Sequence, residues 1–139
     1  MLRLIVGALW VLATVSILIV TLGAIPQRLV GFERTLGVLS PRSWFDPTTW
    51  SVGSPVEFAL NMALFVPWGM LAVFVLGARR WWLAALLGVA LTVSIEVLQI
   101  PSARISDPRD LVANSLGALL GIALACIALA PLRVRARQA

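Results

Sequence analysis

Apolar residues gather into four long runs, at about residues 4–25, 56–78, 81–100 and 108–130, and polar positions concentrate between them. Each run is close to the ~20 residues a helix needs to cross a ~30 Å hydrocarbon core. The pattern predicts an all-α protein, a polytopic membrane bundle of four transmembrane helices forming one domain over residues 1–139. The first run follows Arg3 as a secretory signal would. Its length exceeds the ~7–15 residues of a signal core, and Leu22-Gly23-Ala24 is a poor cleavage site. A retained helix is expected there.

Composition narrows the chemistry. Hydrophobic residues make up 60% of the chain and charged residues 12%, whereas soluble domains carry roughly 25% charged residues. Histidine and lysine are absent, and Cys126 is the sole cysteine. Zinc, haem and iron–sulfur sites need clusters of Cys and His, so no such cofactor is expected. Cys126 sits in an apolar run, as a small buried hydrophobe would. The net charge of +5 reads as membrane topology and not as a nucleic-acid surface.

Four crossings put Arg3, Arg79, Arg80, Arg133, Arg135 and Arg137 on one side, with no acid among them. The other side holds Arg28, Arg34, Arg42, Arg104 and Arg109 together with all six acids but Glu96. Long loops weigh less than short flanks in setting orientation. Both termini are therefore expected in the cytoplasm of a multi-pass cell-membrane protein, with the Pro26–Pro55 loop extracytoplasmic. Trp44, Phe45 and Trp50 suit that loop to the headgroup region.

Two helix starts are written in local chemistry. Ser54-Pro55-Val56-Glu57 supplies an N-cap serine, proline at the first helical position and glutamate at the third. Asp107-Pro108-Arg109-Asp110 repeats this with aspartate as cap. Acids there also suit the positive helix ends.

Polar side chains inside the runs carry the functional signal, because an unsatisfied group in hydrocarbon costs several kcal/mol. Glu96 has no basic residue within four positions on its helix, and Gln99 lies about 60° around the same face. Asn61 follows Glu57 by one turn, and Phe65 and Gly69 continue its stripe. Pro67 frees the carbonyl of Ala63 and is expected to kink the helix. Asp110, Asn114, Gly117 and Gly121 share a face of the last helix, and Gly117 to Gly121 is a GxxxG of the kind that lets helices approach closely. Alternating helices place all six polar groups in one outer third of the membrane, beneath Arg104, Asp107 and Arg109. Glu96, Gln99, Asn61 and Asn114 are expected to converge, with Arg104 within salt-bridge reach of Glu96, Asp107 or Asp110. Bland alternatives stand beside each: caps for Glu57, Asp107 and Asp110, interhelical glue for the two asparagines, and a structural partner role for Arg104.

At these residues the chain resembles the VanZ-like membrane protein family. The likeness runs through Asn61-Met62-Ala63-Leu64-Phe65-Val66-Pro67-Trp68-Gly69, then Ser94-Ile95-Glu96 with Gln99. It ends on Arg104, Asp107 and Asp110-Leu111-Val112-Ala113-Asn114-Ser115-Leu116-Gly117, with Gly121 after. It implies a small polytopic protein, a single VanZ-like domain, whose named member confers low-level resistance to the glycopeptide teicoplanin. It implies no settled activity, and many relatives carry no resistance role.

Two functions follow from the residues. In the first, an outward-facing pocket binds the headgroup of an amphiphile, a lipid-linked cell-wall precursor or a lipoglycopeptide antibiotic. Its candidate ligand-binding residues are Asn61, Glu96, Gln99, Arg104, Asp107, Asp110 and Asn114. Arginines there suit phosphate or carboxylate, and the amides suit hydroxyls and peptide groups. In the second, a membrane-embedded enzyme acts on a lipid-linked phosphate or glycan, with Glu96 as the catalytic candidate and Asp107 and Asp110 beside it. Such carboxylates also suit Mg²⁺ or Ca²⁺, but no nucleophile motif or metal-binding run accompanies them, and no metal is assigned. A transporter of four helices would require oligomers.

Overall fold

A computed structural model of the chain describes residues 1–23, 37–101 and 106–138. Arg28, Glu33, Arg34 and Arg104 lie outside the described residues. Helix α1 spans Leu2–Leu22. A 3₁₀ turn, Gly37–Leu39, and two five-residue helices, α2 (Pro41–Phe45) and α3 (Pro47–Ser51), follow. Then come α4 (Pro55–Leu76), α5 (Trp81–Gln99) and α6 (Pro108–Gln138). Four segments are long and apolar enough to cross a membrane: Leu2–Leu22, Pro55–Leu76, Ala78–Gln99 and Pro108–Pro131. The chain is an all-helical, multi-pass membrane protein.

Local chemistry sets the boundaries. Ser54 Oγ accepts from the backbone N–H groups of Val56 (3.2 Å) and Glu57 (3.5 Å), opening α4 as a capping serine does. Asp107 Oδ1 accepts from Arg109 N at 3.0 Å and opens α6. Gly77, at φ +84°, turns the chain from α4 into the 3₁₀ turn Ala78–Arg80, a conformation that a Cβ disfavours. Helix α4 runs through Pro67 without a break.

Two expected boundaries are corrected. Gly23 leaves α1 at φ −60°, ψ 147°, so the first helix ends before residue 25. Helix α6 continues past residue 130, through Pro131 to Gln138. Proline there costs one backbone bond near the edge of the apolar run, where water can satisfy the freed carbonyl.

Helices α4 and α6 share the most extensive interface, α5 packs chiefly on α6, and α1 packs chiefly on α4. Glycine makes the first contact close. A Cβ at Gly117 would overlap the Met62 carbonyl, one at Gly121 the Val66 carbonyl, and one at Gly69 the Ala118 carbonyl. Both helices thus carry small residues into each other, and the GxxxG is a packing seam. Phe65, Trp68, Ala72, Val73, Ile95, Ala118, Ile122 and Ala125 fill the space around it. Helix α1 is held by fewer groups. Trp68 Nε1 donates to Thr14 Oγ1 at 2.9 Å, and the Trp10 and Trp68 rings lie 5.5 Å apart.

Candidate functional site

The polar residues of the spans meet at one end of the bundle. Helix α5 presents Gly88, Thr92, Glu96 and Gln99 on its buried face. Glu96 is 1% exposed, and its Oε2 accepts the backbone N–H of Asp107 at 2.9 Å. The Ser106 hydroxyl bonds the same carboxylate and also accepts from Val38 N at 3.2 Å. Glu96 therefore fastens the α5–α6 loop down, and Ser106 joins that loop to the segment before α2. Gly37, at φ +48°, allows the junction, since a Cβ there would run into the Ser106 side chain.

One turn below, Asn114 is 2% exposed and its Nδ2 donates to Thr92 Oγ1 at 3.1 Å. Its Oδ1 is buried and meets no hydrogen-bond donor. Asp110, half-buried at the start of α6, is hydrogen-bonded by the Asn61 side chain from α4. The carboxylates of Glu96, Asp107 and Glu57 and the guanidinium of Arg109 all lie within electrostatic reach of Asp110. Arg109 spreads over the Phe58 ring, 5.9 Å from its centroid, and its Nη2 points to the Ser54 carbonyl at 3.5 Å. Thus Asn61 of α4, Glu96 of α5 and Asp107 and Asp110 at the start of α6 gather at one end, with Asn114 one turn below on Thr92.

Gln99 has a different principal engagement. Its Nε2 donates at 2.9 Å to the carbonyl of Thr21, so it ties α5 to the end of α1. The 60° between Glu96 and Gln99 is enough to aim the two side chains at different neighbours. Arg104 lies outside the described residues, and the described cation at the cluster is Arg109. No group of three or more His, Cys, Asp or Glu side chains among the described residues is placed to hold a metal ion.

Three contributors escaped the sequence reading. Thr92 stands four residues before Glu96, so its spacing was available as a signal. Ser106 and Thr21 act through loop and backbone contacts that helical periodicity does not report. Residues 37–53 also hold more regular structure than their prolines suggest. Asp46 caps α3 through Thr48 N at 2.9 Å, Trp44 Nε1 donates to the Val38 carbonyl at 2.9 Å, and Trp50 Nε1 to the Trp44 carbonyl at 3.0 Å. Phe45 stays 85% exposed, as an aromatic meant for headgroups would.

A family model described as VanZ/LLP1 matches residues 7–129. Neither a curated protein nor a solved structure matches the chain.

Proposed function

Because the chain belongs to the VanZ/LLP1 family, we propose that its polar end binds the headgroup of an amphiphile, a lipid-linked cell-wall precursor or a lipoglycopeptide. The observation that carries this reading is the meeting of Asn61 on α4 with Arg109 and Asp110 on α6, one turn above the unsatisfied Asn114 Oδ1. A buried amide oxygen without a donor is an invitation to a ligand hydroxyl or amide. Arg109 supplies a forked cation for phosphate or carboxylate. Glu96 serves this site by holding the loop that carries Asp107 in place.

The enzyme reading keeps one specific support, the grouping of Glu96, Asp107 and Asp110. Turnover of a lipid-linked phosphate or glycan would select it. Saturable binding without turnover selects the first.

Thermal melting of the purified protein in detergent, titrated with a lipid-linked cell-wall precursor or with teicoplanin, tests the proposal. Arg109→Gln is expected to weaken a saturable response roughly 10-fold or more, since a hydrogen bond to a charged group contributes ~1.5–3 kcal/mol. Failure of both compounds to shift the melting point would sink it.

The same reading places both termini in the cytoplasm and the polar end outside, in the cell membrane. The motive is the acid-free group of Arg3, Arg79 and Arg80 with the arginine-rich tail. A reporter active only outside the cytoplasm, fused after Ala139, should stay silent. Strong activity from that fusion would invert the orientation.

A further inference from the structure

At the end of the bundle away from the carboxylates lies a recess of about 500 Å³. Arg3 from α1 and Arg79 and Arg80 from the α4–α5 turn line it, together with Phe74, Val75 and Leu76 at the end of α4. All three arginines are exposed, and none of their guanidinium groups makes a hydrogen bond or ion pair with a described residue. Among the described residues no acid is near enough to answer them, since Asp46, Glu57, Glu96, Asp107 and Asp110 belong to the opposite end. Three cations, one from α1 and two from the α4–α5 turn, therefore line one cavity with no described acid beside them.

Two further features define what would fill it. Helix α5 begins beside the recess, at the end of the 3₁₀ turn that carries Arg79 and Arg80, and its positive end adds to their field. Trp81 and Trp82, 53% and 56% exposed, follow at once and mark the depth of the membrane interface. The recess is thus cationic, bordered by the exposed Phe74 side chain and set at headgroup level.

We infer that this recess is a binding site for the phosphodiester headgroup of an anionic phospholipid, with an acyl chain against Phe74 and Val75. Guanidinium groups match phosphate oxygens in pairs, and basic pockets between membrane helices hold such headgroups. A soluble phosphate would use the arginines but not the exposed Phe74 ring. The assignment is independent of any ligand at the opposite end.

The test uses the full-length protein in a neutral detergent, where both ends are accessible and insertion direction cannot affect the reading. Phosphatidylglycerol and cardiolipin are titrated against phosphatidylcholine and against glycerol phosphate in water, with the melting temperature as readout. Both anionic lipids should raise it and phosphatidylcholine should not. Arg3→Gln, Arg79→Gln and Arg80→Gln together should weaken the anionic-lipid response about 100-fold, at about fivefold per arginine. Arg42→Gln, on exposed α2 at the other end, should leave it intact. If the triple variant does not accumulate, raising salt from ~0.05 to ~0.5 M should shrink the response of the unmodified protein, because screening shortens the reach of exposed charges. An equal response in the triple variant, or insensitivity to salt, would overturn the site. Equal stabilisation by glycerol phosphate would overturn the lipid assignment.

Discussion

Substituting alanine for Gly121 should destabilise the bundle by about 1–3 kcal/mol, the usual cost of forcing extra volume into a packed interface. The added Cβ has nowhere to go, because it meets the Val66 carbonyl of α4 and lies against the Met70 backbone as well. Backbone cannot yield as a flexible side chain would. Gly117, against the Met62 carbonyl, should respond in the same direction. Leucine at both positions should separate α4 from α6 altogether while leaving each helix inserted, since insertion and association are distinct steps in a membrane. Melting in mild detergent and protease resistance measure the loss. Gly7 is the control, because nothing lies within 4 Å of a Cβ there, and Gly7→Ala should melt at or slightly above the parent. A Gly121→Ala protein that melts like the parent would contradict the close approach.

That seam was readable in advance, and the reason is local. A GxxxG in an apolar run reports a face that lacks side chains, whichever helix comes to meet it. The same holds for the helix starts at Ser54 and Asp107, whose caps act within three residues of themselves. What periodicity cannot supply is the identity of the neighbour. Gln99 shares a broad face with Glu96, yet it reaches Thr21 of α1. Asn114 finds Thr92 because α6 packs on α5, a contact between segments 22 residues apart in sequence. The folding of residues 37–53 into a 3₁₀ turn and two short helices was missed for a related cause. Its tryptophan-to-carbonyl bonds and its link to Ser106 are tertiary, and the prolines that signal a loop also begin α2 and α3.

Glu96 yields the second large effect. Its carboxylate accepts from the Asp107 N–H and is bonded by the Ser106 hydroxyl, in a setting almost closed to solvent. Glu96→Leu should strand both donors and cost about 2–4 kcal/mol, at ~1–3 kcal/mol for each buried group left unmatched. Glu96→Gln keeps an oxygen of the same reach for the Asp107 N–H, and it removes a negative charge from beside Asp107 and Asp110. It should accumulate and melt within a few degrees of the parent. Paired melts of the two variants check the contrast. Equal loss in both would mean that the charge, not the acceptor, holds the loop. The Gln variant also separates the roles in ligand binding. Normal melting with loss of the ligand response would assign the negative charge of Glu96 to the ligand.

Helix α1 has only Ile17 and Thr21 fully buried, and it touches the rest through the Trp68–Thr14 and Gln99–Thr21 bonds and the Trp10 ring. Helices α4 and α6, by contrast, meet backbone to backbone. Contact density of this kind sorts a structure into units that open at different free energies. Helix α1 is thus an outer stave hung chiefly on side chains beside a pair joined at its backbone, and it is the span expected to part from the bundle first.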